Sequence, residues 1–454
     1  MPVTVPGLPF DFIQTDVAGG TVGFVFKSTK DAFYYNGTTV TKITDADYPA
    51  TTVRGIAYLD GTYYVMDPNG QIFGSDLNTP TAWTALNKIV AQMEPDGGVA
   101  LARLLNYIVA FGTYTTEFFF DAGNPSPGSP LATYTSGMLN IGCAVASSVV
   151  QSNNQLFFVG VTKQRGRSVY SLTGTNPQVL STPSVERILN ADDLSEVYAF
   201  CVKIAGHQFY VLTLIDSSIT LVYDTGTGDW KEWTSLTAGS PVTISSLTYS
   251  ATTGLVTATT STAHGRSDAD PVTIASATQT AYNGAVNVAV VDSTHFTYIP
   301  LSVPSVTPAT GSPTMTGYTS GPFIGRFYAG FGNIELVQDA SGNLYTLDPE
   351  TYQDRGLPID VHLRTQLVDG GVNTRKFWHK LQIIGDAEDA TVFIRYTGDD
   401  YQTWSTYRRA DISLRRATVQ RLGSDRRRAF ELRHTDNTPL RLEALELTTE
   451  VGNN

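Results

Sequence analysis

Cysteine is nearly missing from this chain of 454 residues, and charge is scarce. The two cysteines, Cys143 and Cys201, lie in apolar stretches. That placement reads as buried thiols and excludes a disulfide framework or a cysteine-rich metal site. No window of about 18 apolar residues would span a bilayer. The opening MPVTVP lacks the basic segment and apolar core of a signal peptide, so no export route is expected from it, and the redox compartment is reducing or unspecified. His207, His264, His295, His362, His379 and His434 form no pair at ligand spacing such as HExxH. Gly19-Gly20 and Gly97-Gly98 lack the Lys-Ser/Thr and the helix of a phosphate-binding loop. One modest helix is expected at about 84–93, too little for a nucleotide fold. Neither metal nor cofactor is expected.

The formal charge of -12 argues against a general nucleic-acid binder, but it is unevenly spread. From Asp360 to the end there are 15 Lys+Arg and 14 Asp+Glu, a net of +1; the first 359 residues hold 15 and 28, a net of -13.

What the chain has instead is aromatics and turns: Tyr 23, Phe 21 and Gly 40 beside only 16% charged residues describe an all-β protein. Residues 199–233 read as a complete four-strand meander, with strands at 199–204, 207–214 and 219–223 and a fourth around Trp230-Lys231-Glu232-Trp233. Such a sheet cannot bury both faces alone and must stack on others like it, which points to a β-propeller. Tight turns at Asp60-Gly61, Leu105-Asn106, Asn153-Asn154 and Ala205-Gly206 follow one another at 45, 48 and 52 residues. That spacing suits repeats of about 40–50 residues per blade. Asn36-Gly37 is a further hairpin turn. About six blades are expected, and the segments 22–44 and 323–348 could share closure of the ring.

Between Trp233 and Phe323 the composition shifts to Thr, Ser, Ala and Val. Alternating runs at 242–246, 255–259, 271–275, 285–291 and 296–299 predict an inserted small β-sandwich-like domain, with 307–316 as a return linker. Beyond Asp360 longer, charged connections between strands predict a separate C-terminal β domain, rich in Arg. The expected organisation is 1–240 and 319–359 for the propeller, 241–318 for the insertion and 360–454 for the C-terminal domain.

Candidate chemistry is thin. Asp224, Asp229, Glu232 and Glu117 could supply a carboxylate pair for glycoside cleavage, but nothing in their spacing makes two of them face each other, and acidic residues at turns usually cap backbone amides. Trp230 and Trp233 read as packing between blades. TGDDYQTW at 397–404 resembles the Asp-box of sialidase-type propellers, with Tyr401 where that motif has Gly; it reads as a turn. The most specific charge feature is the run Arg408, Arg409, Arg415, Arg416, Arg421, Arg426, Arg427, Arg428 and Arg433. The interspersed Asp411, Asp425 and Glu431 favour ion pairs, within the domain or across a subunit boundary, over phosphate contacts. The first eight of these arginines are read as a subunit or adaptor interface.

The strings GIAYLDGTYYV at 55–65, DLNTPTAW at 76–83, PDG at 95–97, IVAFGTYTTEFFFD at 108–121, NQLFFVG at 154–160, VYSLTG at 169–174 and LVYD at 221–224 with Trp230 carry a resemblance. Together they resemble the tail accessory proteins of short-tailed bacteriophages, also called packaged-DNA stabilisation or tail nozzle proteins, over most of 20–235 and 320–450. The resemblance implies a structural virion protein, not an enzyme, made in the host cytoplasm. It would form a homo-oligomeric ring, a hexamer, below the portal and adaptor rings. Tail fibres, spikes or a needle would be neighbours. Packaged DNA would be retained by the tube and would leave through its lumen without tight binding. The lead before Val22 is shorter than in that family, and the 242–316 insertion is not general to it. A glycan-binding or glycan-cleaving surface propeller is the alternative, supported by fold and aromatics alone.

Overall fold

The computed structural model describes residues 11–17, 21–331 and 334–452. The chain forms two compact units, Met1–Trp233 with Pro322–Leu347, and Thr234–Gly321 with Asp348–Asn454.

The first unit is a series of antiparallel sheets in chain order. Four have simple up-and-down order: Asp11–Val17 to Val40–Lys42, Ala57–Leu59 to Thr79–Val90, Gly98–Leu104 to Leu131–Thr133, and Val197–Ile204 to Trp230–Glu232. Between the third and fifth sheets, a fourth is built on Gln155–Val161 and Arg167–Thr173; a sixth, Phe327–Phe331 to Leu344–Thr346, has three strands. Thr62–Met66 is buried at every position, because a sheet sandwiched between neighbours hides both faces. Aromatic and aliphatic clusters fill each successive gap: Val65 and Trp83 with Val25, Tyr64 with Phe119, Phe111 with Phe158, Phe157 with Tyr210, and Phe200 with Val337. A channel of about 1080 Å³ is lined by Ile13, Ile56, Ala102, Gln151, Val202 and Tyr328, one from each sheet or the chain entering it. This radial arrangement is a β-propeller.

The repeat lies in backbone shape more than in letters. Asp60, Leu105, Asn153 and Ala205 have φ of 47, 55, 46 and 49°, and each is followed by Gly or Asn. These left-handed turns join consecutive antiparallel strands of their sheets, where right-handed strand twist favours such turns.

One expectation fails here. The stretch 84–93 is not helical: Thr79–Val90 is a strand, with Gln71 opposite Val90 and Ile72 opposite Ile89. Its helix-compatible letters yield to tertiary pairing. Among the described residues the one α-helix is Pro183–Ala191, opened by Thr182, whose side chain accepts from Val185 N at 3.4 Å, with proline in its first turn and Val185 and Leu189 buried. The segments 22–44 and 323–348 lie in separate sheets, the first and the sixth.

In the second unit, strands from Thr234–Ala238 to Gly311–Pro322 form one eight-stranded sheet around a core that includes Leu247, Val256, Tyr282, Phe296 and Met315. Val242–Ser250 pairs with Gly311–Pro322 at its start and with Leu255–Thr260 along its length, bending at a bulge between Ile244 and Ser246. The expected return linker, 307–316, is largely the interior strand Gly311–Pro322, which also pairs with Pro271–Ala277. Its Gly, Ser and Pro disguise a period of two that buries Pro313, Met315 and Gly317. The C-terminal part comprises two four-stranded sheets, one around Thr391–Thr397 and Ala429–His434, the other around Lys376–Gly385. They share a core that includes Trp378, Leu381, Ile394, Phe430 and Leu432. Asn287 Nδ2 donates to Thr435 Oγ1 at 2.8 Å, and Arg433 Nη1 reaches Asp270 Oδ1 at 2.9 Å. These contacts join the inserted strands to the C-terminal ones.

Candidate functional site

The four candidate carboxylates do not converge, and no two of their side chains share a hydrogen-bond partner. Glu117 is buried in the third sheet, where Oε1 accepts from Met93 N at 2.8 Å. Burial pushes its carboxyl up, and the Met93 bond offsets this only in part. Asp224 fastens the outer hairpin of the fifth sheet: Oδ1 accepts from Gly226 N at 2.9 Å, and Oδ2 meets His207 Nδ1 at 3.0 Å and Lys231 Nζ at 3.2 Å. Burial would raise it, but these donors outweigh burial and hold it at about 2. Asp229 and Glu232 are exposed on that hairpin. The geometry thus supplies no facing acid and nucleophile.

The tryptophans are packed. Trp230 Nε1 donates to Leu180 O at 2.8 Å, and the Trp233 ring lies 5.4 Å from Phe323. Asp399 closes its turn by accepting from Thr403 N at 2.9 Å and Thr397 Oγ1 at 2.7 Å. Both cysteines are buried free thiols, pushed up to about 12 by burial. Among the described residues one acidic trio, Asp192, Asp193 and Asp216, is compact enough to hold a cation. Asp192 already accepts from Leu194 N at 2.8 Å and Ser217 N at 2.9 Å, so the trio is explained as turn capping.

The arginine run divides. Arg428 is buried with its guanidinium 4.2 Å from the Tyr396 ring centre and 6.0 Å from that of Trp378, and is thereby removed from the expected interface. Arg408 is half-buried on Tyr396 and donates to Arg421 O at 3.0 Å. Arg409 stacks on Phe393 at 5.2 Å. Arg416 pairs with Glu446 at 3.0 Å and Arg427 with Asp400 at 2.5 Å, both at the surface. Arg415, Arg421 and Arg426 are exposed, and their side chains meet no hydrogen-bond or ion-pair partner among the described residues.

The sequence reading expected ion pairs at Glu431 but not its partners, and it did not anticipate a second charged group around Asp11. In the C-terminal part, fully buried Glu431 binds Arg395 at 2.5 Å, His362 at 3.1 Å and Arg364 at 3.4 Å, while Asp360 binds His362 at 3.0 Å and Arg433 at 2.8 Å. Arg395 lies 4.8 Å from the Trp404 ring centre and 4.7 Å from that of Tyr407. The signal was the strand Ala429–His434, buried at every position, which carries Glu and Arg inward along with its apolar residues. In the propeller, Asp11 at one channel mouth binds Arg54 Nε at 2.9 Å, Gly55 N at 2.7 Å and Lys27 at 3.5 Å. Burial lowers the Lys27 ammonium's pKa, and Asp11 opposes this in part.

A radial stack of antiparallel sheets defines the class of the β-propellers. The chain belongs to the phage stabilisation family, described as Bacteriophage P22 Gp10, β-propeller, whose model matches residues 18–268, more than half of the chain. This is a family of phage tail structural proteins. A curated relative, the tail hub protein gp10 of Salmonella phage P22, is 25% identical over 249 residues. The match covers 49% of this chain and 52% of the relative, so the chain spans about half the length of that protein. The matched range ends at 268; the resemblance read over 320–450 lies outside it. Among solved structures, BamB from Moraxella catarrhalis is similar at 12% identity and a TM-score of 0.32, covering 74% of this chain and 98% of that one. The computationally designed Ika8 protein is similar at 14% identity and a TM-score of 0.32, covering 71% and 80%. Neither likeness is close enough to bear on function.

Proposed function

We propose that this protein is a structural component of a phage virion that assembles as a ring, a hexamer by the resemblance, to form the tail nozzle. In this reading the tube retains packaged DNA and is the conduit for its ejection, with the portal-adaptor ring above it and tail fibres, spikes or a needle as further neighbours. Membership of the P22 Gp10 propeller family is the observation that carries the reading. The excess of acidic residues in the first 359 positions supports a lumen wall that does not grip phosphates. The exposed arginines of the C-terminal part then serve contacts between subunits or with the adaptor.

The test uses Arg415→Glu with Arg416→Glu. Sedimentation of the wild type shows a ring, the double variant assembles or attaches poorly, and duplex DNA binds weakly at physiological salt in both. Tight wild-type DNA binding with a steep salt slope, lost in the variant while assembly is unchanged, would place these arginines on DNA and overturn the reading.

A further inference from the structure

We propose that one mouth of the propeller channel docks an acidic peptide segment of a partner protein. The inner strands of neighbouring sheets run in parallel, as the bridge between Arg54 and Ala100 shows. Their starts therefore gather at one mouth, with Asp11 and Arg54, and their ends at the other. The second mouth presents Arg103 and Lys203 with the amides Asn106, Asn153, Asn154 and Gln208. Arg103 donates only to carbonyls, Leu105 O at 2.9 Å and Tyr58 O at 3.0 Å. Lys203 is exposed, and its ammonium meets no partner among the described residues. Asn153 donates to Gln208, which ties the fourth sheet to the fifth at this rim.

Charge separates this channel from the rest of its unit. Met1–Trp233 and Pro322–Leu347 hold 13 Lys+Arg and 22 Asp+Glu, a net of -9. The channel lining holds three basic residues, Arg54, Arg103 and Lys203, against one acid, Asp11, which is already bound to Arg54. Asp60, on the corresponding turn of the second sheet, is not part of the lining. A cationic cleft with low-dielectric walls concentrates anions. The amides that accompany it can both donate to and accept from peptide groups. The volume of about 1080 Å³ equals a cube about 10 Å on edge, room for roughly three residues of extended chain at about 3.3 Å each. A duplex, whose major groove alone is about 12 Å wide, does not fit.

The experiment titrates the full chain with fluorescein-labelled pentaglutamate by anisotropy, beside labelled pentaglutamine and an oligothymidylate of equal length. Pentaglutamate is expected to bind and pentaglutamine not to bind. Lys203→Gln is expected to weaken binding about tenfold, the worth of one charge-assisted hydrogen bond, whereas Lys30→Gln, an exposed lysine away from the channel, leaves it unchanged. Lys203 is exposed, so its replacement preserves the fold, and circular dichroism verifies this. Absence of pentaglutamate binding, or equal loss in both variants, overturns the proposal. Oligothymidylate binding more tightly than pentaglutamate overturns it as well and assigns the mouth to single-stranded nucleic acid.

Discussion

Replacing Glu431 by glutamine removes one negative charge from the middle of the C-terminal sheets while keeping the side chain's volume. Its carboxylate is held at about 2: burial would raise it, but His362 and Arg395 outweigh burial. Breaking a buried pair from one side costs about 3–5 kcal/mol. Arg364, with 60% of its side chain exposed, adds little to that. Arg395 keeps its contacts with Trp404 and Tyr407, so the expected loss is about 2–4 kcal/mol, below the full penalty. The substitution also changes the response to pH. His362 is raised to about 9 by hydrogen bonds to Asp360 and then Glu431, against the opposing effect of burial. A folded pKa above the unfolded one gives stability that is complete below pH 6.5 and lost as pH rises through about 9. That interval corresponds to about 3 kcal/mol, which solvent screening of a side chain 39% exposed reduces to about 1–2 kcal/mol. In Glu431→Gln, His362 keeps only Asp360, so less stability is lost between pH 6.5 and 9. Urea unfolding followed by tryptophan fluorescence at both pH values measures the two effects, and hydrogen exchange at Ala429–His434 ties the transition to these sheets. A variant within about 0.5 kcal/mol of wild type, with the same loss between the two pH values, would refute the account.

Phe158→Ala is expected to destabilise the propeller by about 3–5 kcal/mol, since the ring is fully buried 4.9 Å from Phe111 and 5.6 Å from Tyr170; a smaller loss than Leu105→Gly in the same denaturation series would contradict it. Replacing Thr234–Gly321 by a short Gly-Ser linker should leave a cooperatively unfolding propeller, because Phe323 N donates to Thr220 Oγ1 at 3.0 Å and holds the return point beside the fifth sheet. Loss of any cooperative transition for the propeller would show that those residues are needed for its folding.

The propeller was legible because its evidence is local. A left-handed residue followed by Gly or Asn between two apolar strands specifies a hairpin, and four such turns at steady spacing specify stacked sheets. The strand Thr79–Val90 was not legible, since its letters suit either state and only its ladder to Gln71–Asp76 decides between them. Gly311–Pro322 was lost for a related reason: its Pro313 falls where the ladder to Pro271–Ala277 shifts register between Ala275 and Ala277, the kind of irregularity at which a strand accepts proline. Ion pairing at Glu431 was legible from the mixed charges of the arginine run, but its partners were not, because alternation reports which residues face inward and not which distant group meets them. Nothing near Glu431 in sequence announces His362 or Arg395.

The arginine run shows why a charge count cannot stand for an interface. Two of its members are spent inside the fold: Arg428 on Tyr396 and Trp378, and Arg433 on Asp360 and Asp270. Removing either would leave an aromatic cavity or an unpaired buried carboxylate, so any loss of assembly would be confounded by loss of folding. Arg415 and Arg416 differ in kind. Arg415 is exposed without a partner among the described residues, and Arg416 holds only the surface pair with Glu446, worth at most about 1 kcal/mol. Both lie outside the Asp360–His362–Glu431 network, so reversing their charge leaves its ion pairs intact. A loss of assembly in that double variant, with unfolding unchanged, therefore reports on the surface and not on the fold.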